Sequence, residues 1–239
     1  MNIREFIYES VRIIKRIDGS FFGHFQNEFV YLLEAELKDG IETLLDVGCG
    51  GSSKLQYLSK KLRYTVGVDK DVPSLLKSEA ANIHDEYRNL DVLEIVDHFG
   101  RRSFDCVLAS DVIEHLEKDD GFRLLEIMEK VARKKVVVFT PNGFLPQHEY
   151  DGSTLQKHLS GWTPDEMEKL GFRVLGASGW KRLRGERWRV RWKPEKFWIR
   201  ISWLSQPVLR NYPRGAFHIF CVKDLPVKED SNPVAPRGT

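Results

Sequence analysis

The chain has 239 residues, 41% hydrophobic and 11% aromatic, with a formal net charge of +2. No run of about twenty apolar residues occurs, which excludes a helix spanning a bilayer. Cys49, Cys106 and Cys221 lie far apart and form no C-x-x-C pair, which argues for a reduced cytosolic chain over a disulfide framework or zinc site.

At this length the expectation is one domain with insertions. Charges recur every few residues through "MNIREFIYESVRIIKRIDGS", so the N-terminus reads as a helix over 3–17 and not as a signal peptide. A second helix, "FQNEFVYLLEAEL", ends at Gly40. These form a helical extension over 1–40. The period then shifts. Strand-like runs at 43–47, 64–68, 104–109 and 135–140 alternate with helical stretches, the pattern of a doubly wound α/β parallel sheet. Ser52 or Ser53 can cap a helix after the first strand. Thr163, Pro164 and Glu166 open a short helix with a capping box, and Gly171 ends it. "FRVLGASGW" and "AFHIFCVKD" read as two last strands. They close a domain over 41–225, and the Pro- and charge-rich tail 226–239 reads as disordered.

The first strand runs into "LLDVGCGGSS", residues 44–53. Gly48 and Gly50 fit the first two positions of the dinucleotide fingerprint G-x-G-x-x-G, but the third falls on Ser53. That glycine normally lets the helix pack closely enough for a pyrophosphate at its N-terminus. Asp46 would also repel a diphosphate and attract an ammonium or sulfonium. The second strand, "YTVGVD", ends in Asp69, 21 residues after Gly48, a spacing suited to ribose hydroxyls. In "NLDVLEI", Asp91 could accept an adenine amino group while Leu90 or Val92 packs on the ring. Singly these residues could equally be a tight turn, a cap for "VPSLLKSEA" and a turn residue.

Taken in order, "LLDVGCGGSS", "VGVDKD", "NLDV" and "FDCVLASDVIEHL" resemble the successive motifs of class I S-adenosylmethionine-dependent methyltransferases, over about residues 41–180. The resemblance implies a Rossmann-like seven-stranded sheet of order 3-2-1-4-5-7-6 with strand 7 antiparallel, and S-adenosylmethionine as cofactor. It implies that Gly48, Cys49 and Gly50 let the backbone approach that cofactor. Asp46 would help hold its amino-acid end, Asp69 and Lys70 would lie at the ribose, Asp91 and Val92 at the adenine, and Ser110 at the end of the fourth strand.

An already electrophilic methyl group needs mainly an aligned acceptor and exclusion of water, with a base where the acceptor is a hydroxyl. His115, beyond the fourth strand, is the candidate catalytic base because histidine titrates near neutrality. The alternative is that it caps or packs the following helix. Asp111, Glu114 and His115 also resemble the metal-binding cluster of some ubiquinone-biosynthesis O-methyltransferases. Asp stands here for Glu and no fourth ligand is evident, so the expectation is no metal. The loop "TPNGFLPQHEYDGSTLQKHLSGWT" offers His148 and His158 as further polar candidates, and Trp162 as a pocket wall or a core residue.

Residues 180–214 hold eleven Lys or Arg against Glu186 and Glu195, and five of the six tryptophans. This insert spans 181–214. "RWRVRW" reads as a strand with one cationic and one apolar face, and "KPEKFWIRISWLSQP" as a helix stopping before Pro207. Three readings compete: a cap over the acceptor pocket, a surface docking on an anionic membrane, and RNA binding by Arg and stacked aromatics. The expected activity is O-methylation of a small or lipid-linked acceptor, a glycan or quinone precursor, by a cytoplasmic protein peripheral to the membrane. The alternatives are an RNA or protein methyltransferase, with nucleic acid the less favoured partner, and a non-catalytic binder of the cofactor.

Overall fold

The computed structural model describes residues 28–38, 40–59, 62–147, 157–185 and 189–226. The expected helix over 3–17, the tail beyond 226 and His148 lie outside the described residues. Seven strands form one sheet: β1 Thr43–Val47, β2 Tyr64–Asp69, β3 Glu86–Asn89, β4 Phe104–Ser110, β5 Ala132–Pro141, β6 Arg173–Trp180 and β7 Ala216–Asp224. Their order is β3-β2-β1-β4-β5-β7-β6, with β7 antiparallel to both neighbours and the other described pairings parallel.

The central strands read as continuous apolar runs because both faces of the sheet are covered. Side chains alternate between the faces. Leu45, Val107 and Val138 join one core with Leu124 and Met128 of helix α4, Lys118–Val131. Leu44, Cys106 and Val137 join a second core with Phe29 and Leu33 of helix α1, Glu28–Glu36. The remaining described helices are α2 Val72–Ala80, α3 Ile95–Phe99, α5 Pro164–Lys169 and α6 Glu195–Arg210. The α5 capping box forms as expected, between Thr163 and Glu166. Ser53 caps only a four-residue 3-10 turn, Lys54–Tyr57. Asp105 pins the edge of β1 away from the glycine loop, accepting from the amides of Glu42 (3.0 Å) and Thr43 (3.1 Å) and from Arg133 Nε (3.1 Å).

Two expectations for the insert fail. "RWRVRW" is not a strand over its described part. Arg184 and Val190 form only an isolated bridge, and the segment folds back on the short turn Lys181–Leu183 before Pro194, which has no N–H to extend a ladder. The helix does not stop before Pro207 but runs on to Arg210. Pro207 is exposed on the outer side, while Ser202, Gln206 and Leu209 are buried against β6 and hold the last turns despite one missing hydrogen bond. Among the described residues, no helix is long and apolar enough to cross a membrane.

Candidate cofactor and acceptor site

The expected cofactor residues converge at the carboxyl ends of β1 to β4. After β1 the chain turns through Gly48 (φ +68°) and Gly50 (φ +59°), both in the left-handed region that favours glycine. At Gly48 a β-carbon would stand 2.6 Å from Val112 Cγ2, so this glycine also lets the turn pass the end of β4. At Gly50 a β-carbon would meet nothing within 4 Å. That face of the turn is open. The Gly50 amide donates to Asp69 Oδ2 (2.8 Å), and the Asp71 amide to Asp69 Oδ1 (2.8 Å). Asp69 therefore stands at the mouth of the glycine loop, and burial raises its pKa. The cap of α2 is Asp71, which accepts from Ser74 N, so Asp69 is not spent on that helix.

Asp46 is buried beneath the loop and holds it from below. Its Oδ2 accepts from Ser53 Oγ (2.6 Å) and lies 3.0 Å from His84 Nε2. Sequence reasoning missed His84. The signal was Gly67, a gap in the middle of β2: a β-carbon there would sit 2.8 Å from His84 Nδ1. The Cys49 side chain faces the same gap, and burial pushes its thiol up. Asp91 caps a short turn through Leu93 N (3.0 Å) and pairs with Lys70 Nζ (3.2 Å). The Val92 side chain lies in the core, leaving half-buried Leu90 beside Asp91 at the edge.

Ser110 and Asp111, at the end of β4, line a cavity of about 270 Å³ closed by α1, β6 and α6. Its walls include Phe29, Phe139, Ile199 and Trp203, and its polar groups include Lys54 and Arg184. Asp111 adopts φ +55°, a left-handed conformation unusual for a side-chain-bearing residue, with its amide held by Phe139 O (2.8 Å). Its Oδ1 lies 3.7 Å from Nε2 of the buried His218. Desolvation raises its pKa, against the opposing pull of Lys54 and a hydrogen bond from Ser110. Neither Glu28, buried and accepting from Ser178 N at 2.7 Å, nor His218 was singled out from the sequence; both contacts join segments distant along the chain.

His115 does not line that cavity. It packs against His158, ring centroids 4.8 Å apart, and donates Nδ1–H to Lys157 O at 3.1 Å. Burial lowers its pKa to about 4, so it stays neutral rather than titrating near neutrality as expected. Trp162 is a core residue, fully buried, with room for its indole at Gly121.

Residues 45–140 match the family model described as a methyltransferase domain. Over that segment, less than half of the chain, the sequence is similar to a methyltransferase domain, and the sheet order is that of the class I methyltransferase fold. Within an 88-residue alignment it is 28% identical to an uncharacterized methyltransferase of Mycobacterium tuberculosis H37Rv and equally to one of Mycobacterium bovis. Each alignment covers 36% of this chain and 44% of the relative, so the chain spans less than half the length of these curated relatives. Among solved structures it resembles an S-adenosylmethionine-dependent methyltransferase of Archaeoglobus fulgidus, with TM-score 0.52 and 20% identity over 86% of this chain and 98% of that one. The methyltransferase domain of bacterial CtHen1 gives 0.55 and 17%, covering 84% and 98%. The plantazolicin methyltransferase BamL gives 0.53 and 12%, covering 92% and 91%. At these identities the likeness is one of fold. The residues at these strand ends fit S-adenosylmethionine: an open glycine loop, with an acid at its mouth and a second acid on the neighbouring strand end.

Proposed function

We propose that the protein transfers a methyl group from S-adenosylmethionine to an oxygen of a small or lipid-linked acceptor, a glycan or quinone precursor, at the cytoplasmic face of a membrane. The observation that carries this reading is the double use of α6. One face contributes Ile199 and Trp203 to the cavity beside Asp111. The other exposes Phe197, Leu204 and Val208, at 52%, 52% and 73%, on a segment rich in Lys and Arg. A cap and a membrane-docking surface are then two sides of one helix, and an acceptor held in lipid lies next to the cavity.

S-adenosylmethionine supplies a methyl group made electrophilic by its sulfonium. Gly48 and Gly50 admit the cofactor, Asp69 takes its ribose hydroxyls, and Asp91 takes its adenine amino group once Lys70 yields. The apolar walls align the acceptor and exclude water. Asp111, which lines the cavity, is better placed than His115 to take the hydroxyl proton. Radiolabel transfer from S-adenosylmethionine into a cell extract, fractionated into lipid, glycan, RNA and protein, tests the reading. Label in the lipid or glycan fraction is expected. Label confined to RNA or protein overturns the acceptor class, and cofactor binding without transfer makes the protein a binder.

A further inference from the structure

We propose that Glu114, His115 and His158 form a binding site for a divalent transition-metal ion. This does not depend on the identity of the acceptor. The sequence offered Asp111, Glu114 and His115 as a candidate set, and the expectation was no metal. The fold instead gathers Glu114 with two histidines 43 residues apart. One potential ligand atom from each lies within 4.8 Å of the others. In a bound site, metal–ligand distances of about 2.0–2.2 Å draw such atoms closer together, a change within reach of side-chain rotation.

Three features mark the cluster as prepared for a cation. Each imidazole has Nδ1 against a backbone carbonyl, His115 with Lys157 O at 3.1 Å and His158 with Leu145 O at 2.7 Å. A carbonyl only accepts, so Nδ1 carries the proton and Nε2 keeps its lone pair. This is the usual outer support of a metal-bound histidine. Glu114 is buried, at 2% exposure. Its Oε2 is fixed by Thr140 Oγ1 at 2.9 Å, while its Oε1 has no hydrogen-bond partner among the described residues. Leaving such an atom unsatisfied is costly, and a cation held by it and the two imidazole Nε2 atoms removes the deficit.

The frame is rigid. The amides of Leu159 and Ser160 donate to Glu114 O at 2.8 and 3.1 Å, and Ser160 Oγ and Trp162 Nε1 donate to Ile113 O at 3.0 and 3.3 Å. These bonds stitch the strip carrying His158 onto the turn carrying Glu114 and His115. Two imidazoles and one carboxylate suit manganese, iron, cobalt or zinc better than magnesium or calcium, which prefer all-oxygen shells. The remaining coordination positions are left for water or another ligand.

The test uses the full chain, stripped with chelator and titrated with Mn²⁺ and Zn²⁺ by calorimetry. Free Mn²⁺ is followed by its electron paramagnetic resonance signal, and metal content by elemental analysis. One ion per chain is expected, with a rise in melting temperature as metal is added. Glu114→Gln keeps the Thr140 contact, and His158→Ala and His115→Ala remove one ligand each. Each should weaken binding at least tenfold and abolish the metal-dependent rise. Should one variant fail to fold, the other two carry the test. Wild-type protein that takes up no ion at millimolar metal overturns the proposal. So does binding that is unchanged in all folded variants, since the ion then sits elsewhere.

Discussion

Gly179 and Ser202 approach so closely that a β-carbon on Gly179 would stand 2.3 Å from both the carbonyl and the hydroxyl oxygen of Ser202. Gly179 has φ +77° and lies with Ser178 in the irregularity of β6 between Ala177 and Trp180. This contact seats α6 on the sheet. Gly179→Ala adds backbone strain to a clash with main-chain atoms, which together should cost about 2–4 kcal/mol. Urea unfolding reads that loss. Gly50→Ala, with nothing within 4 Å of its β-carbon, should cost about 1–2 kcal/mol from φ alone and weaken S-adenosylmethionine binding. Equal stability of Gly179→Ala and wild type would mean that α6 does not rest on β6 as described.

Asp69 and Asp71 are separable, because only the second caps α2. Asp71→Ala should cost about 1 kcal/mol of stability and leave cofactor affinity within about twofold. Asp69→Ala should instead weaken S-adenosylmethionine binding by about one to four powers of ten, for one or two charge-assisted bonds of about 1.5–3 kcal/mol each. Calorimetric titration of the two variants distinguishes the roles. An unchanged dissociation constant in folded Asp69→Ala would remove the residue from the cofactor site.

Acid stability provides a check far from the site. Burial works against the charge on Asp105, but the amides of Glu42 and Thr43 and the Arg133 guanidinium outweigh it and hold its pKa down at about 2. A depressed folded pKa contributes stability that is full above the unfolded value, about 3.9, and is lost as pH falls through the folded one. Wild type should therefore lose about 1–2 kcal/mol from this group between about pH 4 and pH 2, after allowance for solvent screening. Asp105→Asn should be less stable at pH 7 and lack that component of the acid slope. Parallel stability profiles of the two proteins from pH 7 to pH 2 would refute the assignment.

What the sequence disclosed follows the range of the interactions. The strands, the glycine turn and the α5 capping box are local patterns of period, φ and spacing, and Gly48, Gly50, Asp69 and Asp91 gather at one sheet edge as their strand-end positions require. Contacts between distant segments were not legible. His84 meets Asp46 across 38 residues, and His158 meets His115 only because Ser160 and Trp162 bond to Ile113. Pro207 read as a stop because its missing N–H is a local fact, while the buried Leu209 that carries the helix past it owes its place to β6.

The outward face of α6 gives the last prediction. Phe197, Leu204 and Val208 follow at i, i+7 and i+11, one stripe of the helix, with exposed Lys193 and Lys196 near its start. The protein should sediment with anionic vesicles at low salt, because cations near such a surface contribute about 1 kcal/mol each and are screened as salt rises. Reversing charge with Lys193→Glu and Lys196→Glu should weaken the salt-sensitive part by about tenfold or more. Leu204→Ser and Val208→Ser should weaken the part that survives salt, since each removes about 1.5–3 kcal/mol of apolar burial in the lipid interface. Both positions are exposed in the free protein, so its melting temperature should hardly move. Trp203→Ala should behave in the opposite way: its side chain lines the cavity, so stability or acceptor turnover falls while vesicle binding persists. Protein that stays in the supernatant at low salt would end the docking proposal and leave α6 as a cap alone.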